Sequence, residues 1–200
     1  MLANWITLSR LPLLAINVWL LYWGPPVLRL VGVPLLLIGL LLDTVDGVVA
    51  RRRHETSLFG SVLDIAVDRT YELVLWVCFA DLRFIPAAIP IIVITRTTLT
   101  DAFRGIGVSQ GAAPFKQHRT RLGRFLVGST PMRVGYSLSK IVAFMTLALG
   151  QALGEGAGGA RFLAAGLIAA WIAVGFCVLR GLPVLIHGFK EHWGAGGSAQ

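Results

Sequence analysis

Residues 40–72 read L-L-L-D-T-V-D-G-V-V-A-R-R-R-H-E-T-S-L-F-G-S-V-L-D-I-A-V-D-R-T-Y-E, two apolar arms joined by a short charged link. Crossing roughly 30 Å of hydrocarbon takes about 20 mostly apolar residues. Both arms extend far enough to do so, the first over 27–50 and the second over 59–80. The link between them is short, so two helices here must run antiparallel as neighbours. Outward from this pair, further apolar stretches fall at 5–23, 84–104, 134–153 and 160–181. The expected fold class is therefore an all-α integral membrane protein with six transmembrane helices.

Composition agrees. Of the 200 residues, 56% are hydrophobic and only 14% charged, and the mean hydropathy is +0.74. That excludes a water-soluble domain of this size. The formal charge of +8 suits anionic lipid headgroups better than nucleic acid, so membrane lipids are expected partners and nucleic acid is not. Cys78 and Cys177 lie in apolar runs far apart in sequence, with neither a disulfide framework nor zinc spacing. The first apolar run lacks a basic leader and a small-residue cleavage site, so it reads as a retained helix.

Lys and Arg set the orientation, because cytoplasmic connections carry their excess. With the N-terminus inside, the inner segments hold Arg51, Arg52, Arg53, Lys116, Arg119, Arg121, Arg124, Arg133 and Lys190; the outer connections hold only Arg29, Arg83 and Arg161. Both termini are then cytoplasmic. Gly24-Pro25-Pro26, Pro86 to Pro90 and Gly154 to Gly159 punctuate the outer turns. The long basic connection at 109–133 interleaves Phe115, Leu122, Phe125, Leu126 and Val127 with cations, as an interfacial helix would, or else is a solvated loop. One membrane domain over 1–193 and a disordered tail over 194–200 complete the organisation.

Four of the acids carry the chemistry. Asp43 and Asp46, with Gly47 and Ala50, share a face of the second span, and Gly60, Asp64 and Asp68 are spaced i, i+4, i+8 on the third. An ionised Asp at the membrane centre costs about 2.5–3.5 kcal/mol on insertion scales, and four together repel one another. Arg51-Arg52-Arg53 offsets part of this charge. Carboxylates without His or Cys suit hard cations such as Mg²⁺ or Mn²⁺, and four of them on two helices can hold a two-metal site for phosphoryl displacement. Gly47 and Gly60 admit close approach of a ligand, and Arg51 can fork onto a pyrophosphate.

The segment resembles the signature of the CDP-alcohol phosphotransferase (CDP-alcohol phosphatidyltransferase) family, D-x2-D-G-x2-A-R-x8-G-x3-D-x3-D. It matches at every fixed position: Asp43, Asp46, Gly47, Ala50, Arg51, Gly60, Asp64 and Asp68. The resemblance implies a homodimer of six-helix subunits. It also implies that Asp43, Asp46 and Asp64 are metal ligands, that Asp68 is ligand and general base, and that Gly47, Arg51 and Ser57 line the cytidine diphosphate site.

The opening N-W-I-T-L-S-R, Asn4 to Arg10, is similar to the N-x-x-T-L-x-R of the phosphatidylglycerophosphate synthase branch, which implies that Asn4 and Thr7 approach the CDP-lipid. Arg96, Arg104 and Gly111 resemble that branch's R-E-x6-R-x6-G run. Thr97 stands where Glu is expected, and Ser139-Lys140-Ile141-Val142-Ala143 departs from the G-K-x-K-T of the fifth helix. Arg96, Arg104 and Lys140, near inner helix ends, suit an acceptor that carries its own phosphate; the alternative is that they snorkel to headgroups.

The expected reaction is transfer of the phosphatidyl group of CDP-diacylglycerol to a small phosphorylated polyol, best glycerol 3-phosphate, with release of CMP in phospholipid biosynthesis. Inositol phosphate, inositol or another alcohol are alternative acceptors. A cation transporter is the non-enzymatic alternative, since intramembrane acids also mark ion pathways; it fits less well because the outer halves of the spans read as almost wholly apolar. The compact size suits a bacterial inner membrane, with the active site facing the cytoplasm.

Overall fold

A computed structural model describes residues 2–52, 58–109, 126 and 129–195, with side chains described except at 2–3, 43–52, 58, 104, 106–109, 187 and 190–195. Among the described residues the secondary structure is helical throughout. Six helices follow in order: α1 (Leu2–Trp23), α2 (Pro26–Arg52), α3 (Leu58–Asp81), α4 (Ala88–Ser109), α5 (Thr130–Leu153) and α6 (Ala157–Ala195). Three of them contain stretches long and apolar enough to cross a membrane, Asn4–Trp23, Thr130–Leu153 and Ala157–Ile186, which marks the chain as a membrane protein. In α2 the apolar stretch is the shorter Pro26–Leu42, and in α3 the apolar sequence is broken by Asp64, Asp68, Arg69 and Glu72.

The helix ends have local causes. Gly24 ends α1, its N–H bonding Leu20 O at 3.1 Å; a Cβ there would stand 2.5 Å from that same oxygen. After α3 the chain turns through Arg83 at φ 62°, and α4 starts at Ala88 rather than near 84, because the turn and Pro86 precede it. α5 starts four residues before the apolar run, at Thr130, where the Ser129 hydroxyl accepts the Met132 N–H at 3.4 Å and Pro131 sits in the first turn, where it is tolerated. Gly154 closes α5 at φ 72°, the left-handed conformation a helix C-terminus favours. α6 continues past the expected end near 181, through Pro183 to Ala195. The basic connection lies almost wholly outside the described residues, as do residues 196–200.

The chain divides into two compact units. The first comprises Met1–Ala87 and Ile141–Ala169. In it α1 packs against both α2 and α3, burying Leu14, Leu21, Leu36, Leu75 and Phe79. Phe144 of α5 meets Trp76 at 4.5 Å between ring centroids. Glycines let α5 and α6 close up: a Cβ on Gly150 would stand 2.8 Å from Leu163 and one on Gly166 2.7 Å from Leu147, the small-residue contact that membrane helices favour.

The buried stripe of α1 is partly polar. Thr7, Arg10, Leu14, Asn17 and Leu21 recur at alternating steps of three and four, and all are buried. In the half of the unit away from the aspartates, Asn17 Nδ2 donates to Leu13 O at 2.9 Å, and buried Gln151 donates to the Leu21 carbonyl. Asn17 thus bonds a carbonyl of its own helix, whereas Gln151 of α5 bonds one of α1.

The second unit comprises Ala88–Lys140 and Ala170–Gln200. Its core holds Ile89, Val93, Tyr136, Ala173 and Cys177. A Cβ on Gly135 would meet the Phe176 ring at 2.9 Å and one on Gly188 the Phe103 ring at 2.7 Å. Both cysteines are buried free thiols.

Candidate functional site

In the first unit, Asp64 and Asp68 stand one turn apart on α3, with side chains 44% and 38% exposed, and share a counter-ion among the described residues. That counter-ion is Arg10 of α1, whose side chain is only 1% exposed; its guanidinium lies 4.0 Å from Asp64 Oδ1 and 3.6 Å from Asp68 Oδ1. The same guanidinium lies 5.5 Å from the centre of the Tyr71 ring. Tyr71 fits because residue 39 is glycine: a Cβ there would overlap the Tyr71 hydroxyl. A buried cation thus aims at two partly solvated carboxylates.

One turn further along α3 a second pair is formed, Glu72 with Arg69 at 3.6 Å. Thr7 is buried on the α1 stripe, and Asn4 and Gly60 are half-buried. Asp43, Asp46, Gly47, Ala50 and Arg51 belong to the C-terminal end of α2, where only the backbone is described, and Ser57 lies outside the described residues. Among the described residues no three His, Cys, Asp or Glu side chains form a metal cluster. Asp64 and Asp68 supply hard oxygen donors, the donor type that suits Mg²⁺ or Mn²⁺.

In the second unit, Arg96 of α4 is 8% exposed and its Nε has no hydrogen-bond partner among the described residues. Its side chain lies against Gly181 of α6, where a Cβ would overlap Nε. Thr100, one turn on, is fully buried and donates its hydroxyl to the Arg96 carbonyl at 2.7 Å. Lys140 Nζ stands 4.6 Å from the centre of the Tyr136 ring, and the Arg180 guanidinium 5.7 Å from it. A cation over an aromatic face gains about 0.5–2 kcal/mol, less than ionic pairing gives in a dry site. Thr97, in the place of the expected Glu, is buried. Arg104 contributes no described side chain.

Two residues were missed by reading candidate sites from the sequence: Arg10 as partner of the α3 aspartates, and Arg180 beside Lys140. The signal for both was present. Each is a lone cation within an apolar helix, where a charge needs a partner.

Among curated proteins no sequence match is found. The family model of CDP-alcohol phosphatidyltransferase matches residues 1–179, a span that contains the α2–α3 signature, Arg10, Arg96 and Lys140. The chain therefore belongs to the CDP-alcohol phosphatidyltransferase family, transferases that move a phosphatidyl group from a CDP-alcohol to an acceptor.

Proposed function

We propose that this protein transfers the phosphatidyl group of CDP-diacylglycerol to a hydroxyl of a small phosphorylated polyol, with glycerol 3-phosphate the leading acceptor, giving phosphatidylglycerophosphate and CMP. The observation that carries the acceptor class is Arg96, a buried guanidinium whose Nε has no hydrogen-bond partner among the described residues, in the same unit as Lys140 and Arg180. Three cations in one unit suit an acceptor phosphate, since guanidinium recognises it by charge-assisted bonds; serine or choline would leave that charge unmatched. The likeness of Asn4 to Arg10 to the phosphatidylglycerophosphate synthase branch points the same way.

In this reading the acceptor oxygen attacks the β-phosphorus in line. Its proton passes to the Asp68 carboxylate, and the bond from the β-phosphorus to the bridging oxygen breaks, releasing CMP. General-base assistance of this kind gives about 10²–10⁴-fold. Arg10, held at 3.6 Å from Asp68, orients that carboxylate. Asn4, Thr7, Gly47, Ala50, Arg51, Ser57 and Gly60 bind the CDP-lipid, and Arg96, Arg104, Lys140 and Arg180 the acceptor phosphate. Mg²⁺ or Mn²⁺ bound by Asp43, Asp46, Asp64 and Asp68 would neutralise charge on the attacking and leaving oxygens. The helices form six spans with cytoplasmic termini, in a homodimer of a bacterial inner membrane, where the reaction serves phospholipid synthesis.

The deciding experiment supplies purified protein with CDP-diacylglycerol, Mg²⁺ or Mn²⁺, and glycerol 3-phosphate, inositol phosphate, serine or free inositol in turn, measuring CMP and lipid product. Product from glycerol 3-phosphate is expected. Product from inositol phosphate alone would reassign the acceptor, and product from serine or free inositol alone would overturn the phosphate argument.

A further inference from the structure

Tyr136 and Lys140 stand four residues apart on α5, so both lie on one face of that helix, and a helical side chain leans back over the turn that precedes it. Lys140 does so here, its Nζ 4.6 Å from the centre of the Tyr136 ring. A second cation of the same unit reaches that ring from another helix: the Arg180 guanidinium of α6 lies 5.7 Å from its centre. Both distances fall within the reach of about 6 Å over which an aromatic face attracts a cation. The ring is buried, at 5% exposure, while Lys140 and Arg180 are half-buried.

The meeting of α5 and α6 at this level has a local cause. Gly135, next to the tyrosine, has no Cβ, and one built there would stand 2.9 Å from the Phe176 ring. Phe176 is one turn before Arg180 on α6, so the missing side chain at 135 lets that stretch of α6 close against α5. On another side, Gly181 follows Arg180 and lies against the Arg96 side chain of α4. A single turn of α6 thus meets Arg96 through its backbone and Tyr136 through its own cation.

A ring suits this task better than a carboxylate would. Lysine and arginine stems have many rotamers, and ordering them at the moment of binding costs affinity. A carboxylate partner also orders a cation, but an incoming phosphate must then displace a competing anion. An aromatic face has no net charge, so it orders both stems without adding an anion that competes with the ligand.

We infer that Tyr136 is a positioning residue for the acceptor, its ring holding Lys140 and Arg180 ready for the acceptor phosphate. This rests on the acceptor reading above and adds to it the residue through which two of its cations are ordered.

The test replaces Tyr136 in the full-length protein with phenylalanine and then, by suppressor tRNA, with mono-, di- and trifluorinated phenylalanine. Fluorine weakens the negative face of the ring while barely changing its shape, so the fold is kept and the attraction for cations falls. The KM for the phosphorylated acceptor, glycerol 3-phosphate or inositol phosphate, should stay within about twofold of wild type in Tyr136→Phe and climb with each fluorine to about tenfold, with the KM for CDP-diacylglycerol constant. In a chain carrying Lys140→Met and Arg180→Met the same series should be flat, because the ring then has no cation to hold. Phe144→Leu, which trims a buried aromatic about two turns further along α5, should lower thermal stability and leave both KM values unchanged. A flat series in the otherwise wild-type chain, a loss in Tyr136→Phe as large as in the trifluorinated form, or an equal rise for both substrates would overturn the positioning role. If that series is flat while the paired cation variants raise the acceptor KM, the acceptor reading stands without it; if those variants leave the acceptor KM unchanged, or neither phosphorylated acceptor is used, both fall.

Discussion

The guanidinium of Arg10 lies 3.6 Å from the carboxylate of Asp68, joining the first helix to the third, and the same group reaches Asp64 at 4.0 Å. The arginine is buried and the aspartates are partly solvated, so the pairing is asymmetric. Losing both carboxylates takes two acidic neighbours from a charge held inside the bundle, whereas losing one leaves the other in place.

Stability should therefore respond non-additively to the two aspartates. Asp64→Asn and Asp68→Asn singly leave Arg10 the other α3 carboxylate, and each should cost under about 1 kcal/mol. The double variant removes both α3 carboxylates from Arg10, at a cost of about 2–3 kcal/mol, below the 3–5 typical of fully buried pairs because these carboxylates are partly exposed. Unfolding measured in a detergent titration checks this. Additive losses would mean that Arg10 draws its compensation elsewhere.

Asp68→Asn should lower turnover by at least 10²-fold, the low end of general-base contributions, while binding of CDP-diacylglycerol stays within a few-fold of wild type. Single-turnover CMP release and equilibrium lipid binding on the same preparation separate the two effects. A near wild-type rate would remove Asp68 from the base role.

Gly39 is the contact that admits Tyr71, and through it the stacking on Arg10. Gly39→Ala should destabilise by about 1–3 kcal/mol, as inserting atoms into a packed core does. Since the Tyr71 hydroxyl has no hydrogen-bond partner among the described residues, Tyr71→Phe alone should be close to neutral. Combined with Gly39→Ala it should recover part of the loss. No recovery in the double variant, measured by thermal unfolding in detergent, would place the clash on Leu13 instead, whose Cδ2 would lie 3.1 Å from the added Cβ.

Arg96→Ala should raise the KM for the phosphorylated acceptor tenfold or more and leave that for CDP-diacylglycerol unchanged. Gly181→Ala, which displaces the Arg96 side chain without removing its charge, should give the same pattern more weakly. Equal effects on both substrates would refute an acceptor-specific role.

Much of this was legible in the chain. The apolar runs at 5–23, 27–50, 59–80, 134–153 and 160–181 each fall within one helix, and that at 84–104 does so from Ala88 onward, because run length alone reports helix formation in a hydrocarbon environment. The end signals were harder to read. Ser129 caps α5 ahead of its apolar run, and α6 passes through Pro183; both depend on local backbone bonding that hydropathy does not register.

By itself the sequence determined the family and the place of the aspartates, since the spacing of Asp43, Asp46, Gly47, Ala50, Arg51, Gly60, Asp64 and Asp68 is a property of the linear chain. Only the tertiary structure showed that Arg10, more than fifty positions away, reaches both Asp64 and Asp68. The same holds for Arg180 sharing the Tyr136 ring with Lys140. Charge partners in a bundle are chosen by which helix faces pack together, and that choice belongs to packing between helices, where sequence distance carries no information.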